Sequence, residues 1–164
     1  MNQGGLVMNW NDQQTTKKGN VGEEIVRKYL KDMGFIPYSP TCDGSHPFDN
    51  LCASKDKQTI FIAEVKSKPA RTYYPDTGVD IRHFNTYKDI SEKHNLDVFI
   101  FFVDEDRCEV YGNWLSELEK KRIIKIDDFN NTKEYPWEQG YIHYWPLAAM
   151  IHIGDLGESE LLRH

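Results

Sequence analysis

A chain of 164 residues with 39% hydrophobic and 13% aromatic content is long enough to bury one substantial core, and one domain is expected. No uninterrupted apolar run approaches the roughly 18 to 20 residues that cross a bilayer, and the opening Met1-Asn2-Gln3-Gly4-Gly5 lacks the basic and apolar blocks of a signal peptide, so a cytoplasmic protein with no membrane partner is expected. A formal charge of −6 argues against broad coating of nucleic acid, which rests on many Lys and Arg contacts to phosphate, and the separated Cys42, Cys52 and Cys108 support neither a disulfide framework nor a zinc cluster.

In chain order, residues 1–16 are polar and without sustained period, and read as a loose leader ahead of a domain over 17–164. Val21 to Met33 reads as an amphipathic helix closed by Gly34, with Ile25, Val26, Tyr29, Leu30 and Met33 on one side and Glu24, Lys28 and Lys31 opposite. Glu24 is expected to pair with Lys28. Phe35 to Tyr38 reads as a short strand, Pro40 to Pro47 as a loop, and Phe48 to Ala53 and Thr59 to Lys66 as two strands joined by the turn Ser54-Lys55-Asp56-Lys57. Side chains alternate along a strand, so Ile60, Ile62, Glu64 and Lys66 share one face and Phe61, Ala63 and Val65 the other. A Pro- and Tyr-bearing loop over 69–78 precedes a helix from about Asp80 to His94 and a buried strand, Val98 to Val103. Cys108 to Tyr111 reads as a further strand, Arg122 to Tyr135 as a charged loop, Tyr141 to Trp145 as an edge strand, and Pro146 as the opening of a short helix through Met150.

Chemistry concentrates at Asp49, followed after fourteen intervening residues by Glu64-Val65-Lys66. Hydrolysing a phosphodiester needs a held divalent cation, a hydroxide made near neutral pH and stabilisation of charge on the transition state. Hard cations such as Mg²⁺ or Mn²⁺ take carboxylate and carbonyl oxygens. Asp49 and Glu64 on paired strands supply two carboxylates, with the Val65 carbonyl as a third ligand, and Lys66 reaches the same side to orient water or offset negative charge. Downstream, Lys68, Arg71, Tyr73 and Tyr74 form a basic and aromatic loop of the kind that grips phosphate and stacks on bases, Arg82 extends this locally basic strip, and Tyr87 on the helix that follows is a further expected substrate contact.

Pro47-Phe48-Asp49 with Glu64-Val65-Lys66 resembles the PD-(D/E)xK nuclease superfamily. Gly19-Asn20-Val21-Gly22-Glu23 resembles the N-terminal Gly-x-x-x-Glu element of its Holliday-junction-resolvase-like members, and Ile81 to Tyr87 followed by Val98 to Val103 is similar to the helix and strand after its lysine. The resemblance implies an α/β, restriction-endonuclease-like core over about 18–111, a central mixed sheet flanked by helices, and an appended C-terminal element over 112–164. It also implies Glu23 as an auxiliary acid near the metal, a DNA substrate, branched or duplex, and a homodimer wherever two strands must be cut. Short proteins of this type are frequent in phages and mobile elements. One residue separates Pro47 from Asp49, which leaves Asp43 as a rival ligand, and His83 stands where a Gln-x-x-x-Tyr pattern ending at Tyr87 has Gln.

Each signal has a bland counterpart. Glu119-Lys120-Lys121 is a second E-x-K, read as a solvated face; Glu64 and Lys66 differ in lying on an otherwise apolar strand, where burying them is costly without a task. A first-turn Glu23 also serves a helix dipole, Tyr87 and His83 also pack a helix on a sheet, and Trp114, Trp137 and Trp145 read as packing. The alternatives to a nuclease are a catalytically inactive module that binds nucleic acid or a partner with the same fold, and a metal-independent structural protein of a mobile element.

Overall fold

A computed structural model describes residues 14–41, 46–125 and 127–156 of the chain. The first helix, α1 (Gln14–Asp32), begins earlier than its apolar periodicity, taking in the end of the expected leader, and closes at Gly34, whose φ of +89° favours glycine. Val26 and Leu30 are buried as the periodicity requires, but Met33, past the helix end, is exposed, and Lys28 pairs with Asp32 at 3.1 Å instead of with Glu24. Then follow β1 (Phe35–Tyr38), β2 (Asn50–Ser54) and β3 (Ile60–Ser67), the last two joined by the anticipated turn. After β4 (Asp76–Asp80), Asp80 caps α2 (Ile81–His94) by accepting from the Arg82 N–H at 2.8 Å. β5 (Asp97–Asp104), β6 (Glu109–Trp114) and the short α3 (Leu115–Leu118) come next. The chain continues through β7 (Arg122–Lys125), β8 (Thr132–Tyr135), β9 (Trp137–Gln139), β10 (Ile142–Pro146), a 3₁₀ turn over Leu147–Ala149 and β11 (Ile151–Asp155).

Six strands form a mixed sheet in the order β1-β2-β3-β5-β6-β11, in which only β3 and β5 run parallel. Period-two alternation on β3 and β5 divides the core. Phe61, Ala63, Val65, Phe99, Phe101 and Val103 meet Val26 and Leu30 of α1, while Ile62, Ile100 and Phe102 meet Phe84 and Tyr87 of α2, Leu115 and Leu118 of α3, and Val79 and Trp145. With both faces covered, β5 reads as a continuous apolar run.

Four expectations need correction. The end of the 69–78 loop is strand β4, and the charged segment over 122–135 holds the hairpin β7–β8. The expected edge strand over 141–145 is β10, which lies between β4 and β9 in a second, three-stranded sheet. The C-terminal element is also no mere appendage, because β11 adds a strand to the main sheet. For β4, β10 and β11 a pairing partner lies far away in sequence, so local patterning carries little trace of it, whereas β7 and β8 pair as a local hairpin whose charged composition hides the strands. Among the described residues no helix is long and apolar enough to cross a membrane. Cys52 is buried, with its thiol pushed up to about 12 by burial; Cys52 and Cys108 are free thiols, and Cys42, like Asp43, lies outside the described residues.

Helix α1 approaches β3 closely at Gly22, where a Cβ would stand 1.9 Å from Ser67 Oγ and 3.2 Å from Ser67 Cβ, whereas one at Gly19 would meet open space. Of the two glycines in the Gly19 to Glu23 element, Gly22 is thus the one that sterics require. Gly22→Ala is expected to destabilise the fold by about 1–2 kcal/mol, overpacking outweighing the gain in helix propensity, and Gly19→Ala to stabilise it by up to about 1 kcal/mol. Urea unfolding measures both, and adding Ser67→Ala should recover part of the Gly22→Ala loss.

Candidate active site

The β2–β3 ladder ends at the Asn50–Ala63 pair. Beyond it the strands part, and two carboxylates take over the backbone groups that the ladder no longer serves. The Val65 N–H donates to Asp49 Oδ2 at 2.7 Å, and the Asp49 N–H donates to Glu64 Oε2 at 3.3 Å. A strand residue's N–H and C=O point to the same side, so the Val65 carbonyl faces the Asp49 side.

Glu64 is 4% exposed. Its Oε1 accepts from Lys66 Nζ at 2.5 Å and from the Tyr87 hydroxyl at 2.5 Å, and the Lys66 ammonium stands 5.4 Å from the Tyr87 ring centroid. Lys66 thus reaches Glu64 from two positions along the same strand face, as the alternation requires. Tyr87 is itself buried; anticipated as a substrate contact, it lies behind Glu64 and holds one of its oxygens. His83, one turn earlier on α2, is exposed.

Glu23 comes from α1 on the opposite face of the sheet, near enough to feel both Glu64 and Lys66. Burial raises its pKa, and Arg27, at 3.8 Å, partly offsets that rise. Arg27 is anchored in turn through Nε to Asn50 Oδ1 at 3.5 Å, and the same oxygen accepts from the Ser39 hydroxyl at 2.7 Å. Nothing in the local sequence around Arg27, Ser39 and Asn50 singles them out, since their spacing acquires meaning only when α1 lies on β1 and β2.

Asp49 carries the imbalance of the site. Burial and the neighbouring Glu64 carboxylate push its pKa up to about 7, against the lowering effect of the Val65 N–H and Lys66. Three acids therefore crowd a region that Lys66 and Arg27 only partly neutralise. Asp49 Oδ1 and Glu64 Oε2, the oxygens not engaged by short bonds, together with the Val65 carbonyl, make an all-oxygen donor set that fits a hard divalent cation. Glu23, Asp49 and Glu64 do not together bring one oxygen each within 4.8 Å of one another. Among the described residues the group that does so is Glu109, His152 and Asp155, on the β6–β11 edge of the sheet, which sequence reasoning did not single out.

The remaining predicted residues are distributed unevenly. Lys68 is half-buried just past β3, its pKa lowered by burial and then by Lys66 and Arg71. Arg71 is committed to structure: its guanidinium grips buried Asp76 through two 2.6 Å bonds, donates to Gln139 at 2.8 Å and lies 3.8 Å above the Tyr144 ring. Tyr74 is partly exposed beside it, and Arg82 is a solvent-facing partner of Asp80. The second E-x-K is the solvated run anticipated, with Glu119 on Lys88 and Lys120 on Glu117.

No family model matches this sequence, and no curated protein does. Among solved structures the chain is similar to Hjc, a Holliday junction resolvase from the archaeal hyperthermophile Archaeoglobus fulgidus. The TM-score is 0.53 and the identity 11%, over 80% of this chain and 90% of that one. At that identity the likeness is one of fold. The chain has a mixed α/β, restriction-endonuclease-like fold, with a central sheet flanked by helices.

A raised carboxylate pKa means that the folded state favours the protonated acid. The stability this contributes is fully present below the ordinary value near 4 and is lost as pH rises through about 7. In chelator at pH 8, Asp49→Asn is accordingly expected to be more stable than the parent chain, by up to about 4 kcal/mol, with the difference shrinking toward pH 4.5. Added Mg²⁺ or Mn²⁺ should raise the melting temperature of the parent chain and not of the variant. A pH-independent difference, read by thermal denaturation, would contradict this account of Asp49.

Proposed function

We propose that this protein is a metal-dependent nuclease that hydrolyses DNA phosphodiester bonds with Mg²⁺ or Mn²⁺. The observation that carries the reading is the meeting of Asp49 and Glu64 where β2 and β3 part, with the Lys66 ammonium on the same carboxylate. The fold shared with a Holliday junction resolvase supports it, and makes branched DNA the first substrate to test.

In this reading Asp49, Glu64 and the Val65 carbonyl hold the cation. When bound, the ion supplies Lewis acidity and a water acidified toward neutral pH. The chain's own groups do the rest. Lys66 orients the attacking water and offsets negative charge developing on the phosphate. Tyr87 keeps the Glu64 carboxylate in one rotamer and leaves Oε2 for the ion. Glu23, with its raised pKa, takes part as an auxiliary acid at the edge of the site, and Arg27 fixes its position. Lys68 extends the positive potential along the path of the backbone. Cutting two strands takes two such sites, so a homodimer is part of the proposal.

The test is a cleavage screen over branched, nicked, linear and single-stranded DNA with Mg²⁺, Mn²⁺ or chelator. Glu64→Ala and Lys66→Ala are each expected to lower metal-dependent cleavage by about 10³-fold while circular dichroism reports an unchanged fold. Tyr87→Phe, which leaves Glu64 without one donor, should cost about tenfold. Undiminished cleavage by both Glu64→Ala and Lys66→Ala sinks the proposal. No cleavage by the parent chain on any substrate favours an inactive binding module.

A further inference from the structure

The second sheet gathers an aromatic and cationic surface that the carboxylate site does not use. Arg71 lies 3.8 Å from the Tyr144 ring centroid, 4.9 Å from that of Trp137 and 5.1 Å from that of Tyr74. Trp137 and Tyr144 are 5.7 Å apart, centroid to centroid, and Tyr74 and Trp137 6.1 Å. With its guanidinium clamped on Asp76 and Gln139, Arg71 acts as the scaffold that fixes these rings.

Lys133, from β8, is differently placed. Its ammonium sits 3.6 Å from the Trp137 centroid and 3.8 Å from that of Tyr74, and among the described residues it makes no salt bridge and no hydrogen bond. Ring faces hold a cation more weakly than a carboxylate or phosphate does. Tyr74 is 42% exposed, and its neighbour Tyr73 is 93% exposed. An apolar ring offered that fully to solvent on a loop gains nothing from the core.

Lys68 links this surface to the candidate active site. The loop that carries Tyr73 and Tyr74 leaves β3 after Ser67, and Lys68, its first residue, feels both Lys66 and Arg71. Cations therefore run from the carboxylates to the rings on a chain whose formal charge is −6. Alternating cations and stackable rings suit a flexible phosphate backbone with its bases unpaired, whereas a paired duplex keeps its base faces covered.

We propose that Tyr73, Tyr74, Trp137 and Lys133 form a stacking platform for unpaired nucleotides of the strand that passes the carboxylate site. A phosphate draws Lys133 off the two rings, and a base takes the ring face it uncovers, so the cation acts as a removable cover. As a statement about substrate class this rests on the nuclease reading, but the binding it predicts is measured without cleavage.

The test uses the full chain in chelator, with fluorescein-labelled oligothymidylate and a blunt duplex of the same length. The oligothymidylate is expected to bind and to quench tryptophan fluorescence. Tyr73→Ala and Lys133→Ala should each weaken that binding about tenfold while changing duplex binding less than about twofold. Tyr73 is so exposed that its variant keeps the fold, and Trp137→Phe, which retains a ring, should keep most of the affinity. Failure of the parent chain to bind oligothymidylate, unchanged binding by both alanine variants, or equal losses on the two ligands overturns the platform. Glu64→Gln separates the two proposals. It should abolish any cleavage and leave oligothymidylate binding intact, so that binding without cleavage in the parent chain keeps the platform and defeats the nuclease, and cleavage with ring-independent binding does the reverse.

Discussion

Where β2 turns away from β3, each strand is left with backbone groups that the ladder no longer pairs, and two acidic side chains fill the gap. Asp49 accepts from the N–H of Val65 and Glu64 accepts from the N–H of Asp49. Leaving such groups unpaired in a buried place costs about 1–3 kcal/mol each, so this reciprocal capping fixes where the strands part. It also forces the two carboxylates together at the edge of an apolar sheet. Structural necessity and chemical tension are then the same feature: the bonds that finish the backbone create the excess of negative charge.

The surrounding fold disposes of that excess in stages. Lys66, from the same strand face, takes one Glu64 oxygen, and Tyr87, reaching down from α2, shares it. On the opposite face Gly22 lets α1 lie close against Ser67, which brings Glu23 to the site with Arg27 as its neutralising neighbour. What is left is a raised Asp49 pKa, an uncompensated burial of the kind that functional sites maintain at the expense of stability. In the proposed function a hard cation relieves it.

The second sheet solves a different electrostatic problem. Asp76 is fully buried and needs a partner, and Arg71 meets it with two bonds while spreading its face over aromatic rings. That arrangement draws β4, β9, β10 and the loop after β3 into one surface. The overall acidity of the chain therefore says little about its local field, because the cations of this region are concentrated beside the site.

Much of the site was legible because strand alternation is a property of the chain itself. Glu64 and Lys66, two residues apart on an apolar strand, had to share a face, and the Val21 to Met33 period buries Val26 and Leu30 but not Met33, which lies past the helix end. Gly34, Asp80 and the Ser54 to Lys57 turn marked their boundaries through local backbone chemistry. Tertiary structure alone decided the rest. Asp76-Thr77-Gly78-Val79-Asp80 has no alternation to announce a strand, and becomes one because β10 arrives from more than sixty residues away. Arg71, read as a surface contact, became a scaffold because Asp76 is buried beside it, and Trp137, read as packing, became half of a cation's seat because Lys133 comes to rest on it. Periodicity and capping are encoded over a few neighbours, whereas a side chain's task depends on partners that only the closed fold brings within bonding distance.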